Sequence, residues 1–118
     1  MINQHVQSHV LLEGVVVVSL AINLPGPLTA ARLSKLGAHV TTVLPPSGDP
    51  IALYQPEWFA DLHAGQDLVT LDLKSPDGIR ELDALLAHAD ILITSSRPAS
   101  LARLGLDPET VSRKHPRL

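Results

Sequence analysis

The stretch Leu12-Glu13-Gly14-Val15-Val16-Val17-Val18-Ser19-Leu20 runs on within a few residues to Leu24-Pro25-Gly26-Pro27. A half-exposed strand alternates apolar and polar residues, because its side chains point to opposite faces of the sheet. Here Val15 to Leu20 is apolar almost throughout, so both faces must be covered, the condition met inside a parallel sheet flanked by helices. The Pro/Gly turn that follows ends the strand and opens a loop at its carboxyl end.

The pattern continues outward from this strand. Leu28 to Leu36 is predicted as a short helix with Thr29, Leu33 and Leu36 on one face and Gly37 as its stop. Val40 to Leu44 reads as a second strand. Pro45 to Pro56 holds four prolines and a glycine and is predicted to be a long loop without regular structure. Glu57 to His63 makes one or two helical turns, with Trp58 and Phe59 expected to fill a packing gap. Leu68 to Leu73 is a third strand. Ser75 then caps a helix with Pro76 at its first position and Asp77 in its first turn, where a carboxylate complements the helix dipole. Ile79, Leu82, Leu85, Leu86 and Ala89 recur at helical spacing. Ile91 to Thr94 is a fourth strand, followed by a turn at Arg97-Pro98 and a last helix capped by Asp107 with Pro108 at its start. Strands alternating with helices give βαβ units, so the fold class is α/β with a Rossmann-like, mostly parallel sheet and right-handed crossovers.

At 118 residues and 45% hydrophobic the chain can bury a core, and with 3% aromatic residues that core is aliphatic. The absence of cysteine removes disulfides, thiol nucleophiles and thiolate metal sites, and it suits a reducing cytoplasm. No apolar run approaches the roughly 18 residues of a membrane span, and the N-terminus lacks the features of a signal peptide, so a cytoplasmic location is expected with no membrane partner. A net charge of −3 argues against nucleic acid as a partner, since phosphate neutralisation supplies most of that affinity. Between Arg97 and Leu118, however, Arg97, Arg103, Arg113, Lys114 and Arg117 face only Asp107 and Glu109. That run is either a solvated helical surface or a positive face for an anionic ligand.

Residues 1–11 are set apart as a mobile tail, polar and aperiodic through Val10, and residues 12–118 as the α/β domain. In such sheets ligands bind beyond the carboxyl ends of the strands, here Ala21 to Pro27, Pro45 to Pro50 and Ser95 to Ser100. The first loop is no dinucleotide fingerprint: it has one glycine where three are needed, and Pro25 and Pro27 remove backbone donors. His5 and His9 are four apart with no third ligand nearby, so no metal site is expected. No G-x-S-x-G elbow is present.

Beyond these local readings stand ordered blocks: Leu36-Gly37-Ala38-His39-Val40, Pro45-Pro46-Ser47-Gly48-Asp49-Pro50, Leu71-Asp72-Leu73-Lys74-Ser75-Pro76-Asp77-Gly78, Ala89-Asp90-Ile91-Leu92-Ile93 and Arg97-Pro98-Ala99-Ser100-Leu101-Ala102-Arg103-Leu104-Gly105-Leu106. In order and spacing the chain from Leu12 to Leu118 resembles the N-terminal part of the class III coenzyme A transferases, the CaiB/BaiF family, which includes α-methylacyl-CoA racemases. The resemblance implies coenzyme A or an acyl-CoA as substrate, with no tightly bound cofactor. It places Asn23, Leu24 and Pro25 on the loop that touches coenzyme A, Arg103 near the nucleotide phosphates, and Ser95 and Ser96 where the family has an Asn and an aromatic residue. Where the family reads Asn-Arg-Gly-Lys-Arg-Ser, this chain reads His63-Ala64-Gly65-Gln66-Asp67-Leu68. Gln66 thus takes the place of a cation, and Asp67 would repel a phosphate, so coenzyme A affinity is expected to be weak.

The reaction implied by the resemblance moves coenzyme A between an acyl thioester and a carboxylic acid. The family's aspartate nucleophile has no counterpart among these residues, so no catalytic residue is assigned and these 118 residues are expected to be inactive alone. A non-catalytic binding or assembly module, a truncated remnant, and a piece of a racemase-like enzyme are the alternatives. Expected partners are a weakly held acyl-CoA and either a second copy or a complete transferase subunit.

Overall fold

The computed structural model describes residues 11–118; the predicted tail up to residue 10 and the His5/His9 pair lie outside them. Strand β1 (Val16–Ser19) is followed by α1 (Pro25–Lys35), β2 (His39–Leu44), α2 (Pro50–Tyr54), α3 (Pro56–Leu62), β3 (Asp67–Thr70), α4 (Pro76–Leu86), β4 (Ile91–Ile93), α5 (Pro98–Arg103) and α6 (Pro108–Lys114). The four strands form one sheet in the order β3-β2-β1-β4, and every pairing is parallel. The strand predicted to be central is central: Val17 pairs with Val40 on one side and Ile91 on the other.

Alternation along β1 builds the two layers. Val17 points to one face, where it meets Val40, Ala30 of α1 and Ala38. Val18 points to the other, joining Val43, Leu71, Leu82 and Leu86 of α4, Leu101 of α5 and Val111 of α6. Helices therefore cover both faces, as the unbroken valine run requires.

The helix starts differ from expectation in an instructive way. Pro25-Gly26-Pro27 is not a turn before a helix but the first turn of α1, because proline at the first helical position loses no hydrogen bond it would otherwise make. Thr29 lies on the exposed side of α1, its hydroxyl donating to the Pro25 carbonyl, while Pro27, Ala30 and Ala31 form the buried face. The segment Pro45 to Pro56 is not a structureless loop: Asp49 caps α2 with Pro50 at its start, and Pro56 opens α3. Trp58 does not fill a gap, being 41% exposed, whereas the half-buried Phe59 packs on the His63 ring. The Arg97-Pro98 turn proves to be the start of α5, a helix the sequence reading omitted. The caps at Ser75 and Asp107 and the stop at Gly37, whose φ of 108° only glycine adopts freely, are as expected.

Candidate functional site

The carboxyl ends of the four strands converge on one side of the sheet and surround a cavity of about 490 Å³. Leu20 and Ile22 reach it from β1, and Val43, Pro45, Pro46 and Ser47 from β2. Leu71, Asp72, Leu73 and Lys74 follow β3, and Ser96 follows β4. Leu101, Leu104 and Leu106 close it from α5 and the turn beyond. The floor is aliphatic, and polar groups are confined to Ser47, Asp72, Lys74 and Ser96. Such a cavity takes up a ligand with a sizeable apolar part and a charged or polar end.

The lip formed by the β1–α1 loop is braced from two directions. The Ile22 N–H donates to the Ser95 Oγ at 3.1 Å, beyond β4. The Asn23 N–H donates to the carboxylate of Asp49, at 3.3 Å to Oδ1 and 3.2 Å to Oδ2. Asn23 itself has a φ of 70°, the left-handed region that asparagine tolerates better than most residues. Leu24 precedes α1 and makes no side-chain cap, and with Pro25 and Pro27 lacking N–H groups the helix start offers few donors for an anion.

Anion attraction must therefore come from side chains. Lys74 is the lysine or arginine among the cavity's lining residues. Asp72 at the same rim is turned back on its own loop, its Oδ1 accepting the Lys74 N–H at 3.0 Å and its carbonyl accepting the Ser75 hydroxyl at 3.0 Å. The C-terminal basic run is partly neutralised: Lys114 Nζ lies 3.2 Å from Asp83 and Arg117 Nη2 lies 2.8 Å from Asp90. These cations stitch α6 and the end of the chain to α4 and β4.

The structure brings some of the residues singled out from sequence together and separates others. Asn23, Leu24 and Pro25 follow the lining residue Ile22 without lining the cavity themselves, Ser95 braces Ile22, and Ser96 lines the cavity. Arg103 is exposed on the last turn of α5, next to the lining residue Leu104. Gln66 sits elsewhere, just before β3 and at the far end of that strand from Leu71 and Asp72. Its Oε1 accepts the Thr42 hydroxyl at 2.6 Å and lies 3.0 Å from His63 Nδ1, against the face that carries α3. Asp67 beside it reaches across to His39 at 3.1 Å. Asp49, Ser47 and Lys74 were not singled out as site residues. Lys74 carried a usable signal, since it follows a strand at the end where ligands bind.

Comparison with known proteins places this architecture. The profile of CoA-transferase family III matches residues 12–118. Cinnamoyl-CoA:phenyllactate CoA-transferase of Clostridium sporogenes is 33% identical over 119 residues, covering 92% of this chain and 29% of its own length. Human alpha-methylacyl-CoA racemase is 35% identical over 107 residues, covering 91% of this chain and 26% of its own. The crystal structure of a CAIB/BAIF family protein from Brucella suis superimposes with a TM-score of 0.83 at 30% identity, over 88% of this chain and 30% of that one. This chain thus spans under a third of the length of these relatives.

Proposed function

The chain belongs to CoA-transferase family III, and from that premise we propose that it forms the coenzyme-facing part of an acyl-CoA transferase, with coenzyme A entering the cavity at the carboxyl edge of the sheet. The observation that carries this reading is the pairing of an aliphatic floor with a cation at the rim. Leu71, Leu101 and Leu104 supply apolar surface for the uncharged parts of the ligand, and Lys74, which also lines the cavity, supplies a cation for its phosphates. Arg103, Asn23, Leu24, Pro25, Ser95 and Ser96 complete the proposed contact set, with Gln66 as a more distant member. The relatives named above act on CoA thioesters by transfer or by racemisation, and a coenzyme site of this kind serves either chemistry.

Affinity is expected to be weak. One lysine and one exposed arginine must offset the charge of several phosphates, and Asp72 opposes it, whereas Asp67 is paired with His39 at the far end of β3. A dissociation constant on the order of 1 mM, about 4 kcal/mol, is expected for the 118 residues. We further propose that these residues alone do not turn over. The carboxylate that lines the cavity, Asp72, is already engaged by the Lys74 N–H, and the chain covers less than a third of its relatives' length. Pairing with a second copy or with a longer transferase subunit, in the cytoplasm, fits this reading, as does treating residues 12–118 as one domain.

Calorimetric titration with coenzyme A tests the site. Binding near 1 mM in the wild type, weakened roughly five- to tenfold in Lys74→Ala, is the expected result. Submicromolar binding, no heat at high coenzyme concentration, or an unaffected Lys74→Ala variant would each reject it. Measurable acyl transfer by the wild-type chain would reject the claim of inactivity.

A further inference from the structure

Asp49 is 4% exposed, so its carboxylate is all but withdrawn from water. A buried charge persists only where donors replace its hydration. One donor is local: the Ile51 N–H reaches Oδ1 at 2.9 Å and caps α2. The other comes from 26 residues earlier, the Asn23 N–H shared between both carboxylate oxygens. A cap requires one oxygen; the second is committed to the lip of the cavity. Asn23 needs such a partner, because its left-handed backbone costs energy that its surroundings must offset.

We propose that Asp49 is a positioning residue: it fixes the peptide between Ile22 and Asn23, and so sets the position of Ile22 in the cavity wall. Two consecutive N–H groups hold this lip. Ser95 takes the first with a neutral, exposed hydroxyl for which water competes. Asp49 takes the second with a buried carboxylate, at 3.3 and 3.2 Å, where water competes less. Losing Asp49 releases Asn23 from the left-handed conformation and lets the lip close over the cavity or swing away from it. Only the ligand readout below rests on coenzyme A being the occupant.

The test uses the ¹⁵N-labelled 118-residue chain, with amide exchange followed by NMR and coenzyme A titrated by calorimetry. In Asp49→Ala, exchange at the Asn23 amide should accelerate by roughly tenfold or more while Leu86 in α4 changes far less, and the coenzyme A dissociation constant should rise roughly tenfold. Asp49→Asn keeps one acceptor oxygen and should stay within roughly threefold of wild type in both readouts. If Asp49→Ala does not fold by circular dichroism, Asp49→Asn decides through a shifted and modestly faster Asn23 amide. An unchanged Asn23 amide, equal acceleration at Leu86, or a freed Asn23 with unaltered coenzyme A affinity would each overturn the proposal. If the wild type takes up no coenzyme A, the coenzyme reading falls, and the Asn23 amide still decides whether Asp49 holds the lip.

Discussion

Gly26 lacks a side chain because Ala21, fully buried at the end of β1, occupies the space a Cβ would need. The constraint is steric, not conformational, and relief requires the backbone of α1 to back away from the strand. Gly26→Ala should therefore cost about 1–3 kcal/mol, read as a lowered thermal midpoint by circular dichroism. A glycine between two prolines looks like a turn in the sequence, and nothing local reveals that its neighbour is a side chain five positions earlier. Asp90 was similarly opaque. As an acid beside a strand it invites a catalytic reading, yet it stands at the amino end of β4, away from the cavity. There its Oδ2 accepts the Val16 N–H at 2.9 Å and its Oδ1 accepts Arg117 at 2.8 Å. The Val16 hydrogen bond first, and Arg117 second, hold its pKa below the ordinary carboxylate value. A pKa lowered on folding adds stability that is complete above the unfolded value and is lost as pH falls through the folded one. Asp90→Asn should accordingly be less stable than wild type at neutral pH, and the gap should close in acid. Denaturant midpoints measured from pH 7 to pH 2 check this, and a gap that widened in acid would contradict it.

Six of the ten prolines open helices: Pro25, Pro50, Pro56, Pro76, Pro98 and Pro108. The two flanked by a clear cap in an otherwise proline-poor segment, Ser75-Pro76 and Asp107-Pro108, were legible from sequence. Asp49-Pro50 carries the same signature, but the density of prolines around it read as a loop. Helices α1 and α5 begin after Leu24 and Arg97, which make no side-chain cap, so beyond the opening proline their starts rest on tertiary packing. Packing decides their orientation too, through Ala30 and Ala31 in α1 and Leu101 in α5. Where the cap is explicit its worth can be measured. The Ser75 Oγ accepts the Gly78 N–H at 3.1 Å, so Ser75→Ala should lower stability by about 1 kcal/mol in chemical denaturation. The candidate site was legible to the extent that it depends on strand ends, which the apolar runs located. Its individual contacts were less so, because Asp49 and Gln66 are placed by long-range hydrogen bonds that spacing does not encode.

The molecule as a whole is organised about β1, which with β2 forms the inner pair of the sheet, with strands on both sides and helices above and below. Val17 is fully buried, and a carboxylate there would have no partner. Val17→Asp should cost more than about 4 kcal/mol, a large part of the stability of a domain this size, and leave little folded protein by circular dichroism. Retention of the wild-type thermal midpoint would contradict the central placement. By contrast β3 and β4 are sheet edges, with Leu68 and Ile91 partly exposed, and the same substitution at Leu68 should be far milder.

Because β1, the earliest strand of the described residues, lies inside the sheet, its two edges are completed at very different times. Its β2 edge can close once Leu44 is made, but its β4 edge waits for Ile93, and 93 − 44 = 49 residues separate the two. At the usual pace of translation that interval lasts roughly 2 to 10 s, with half of β1 unpaired. Contacts spanning 74 residues, such as Val16 with Asp90, also slow refolding of these 118 residues. Nascent chains arrested before Ile91 should therefore be cleaved readily by protease between β1 and α1, and chains extended through Leu118 should resist.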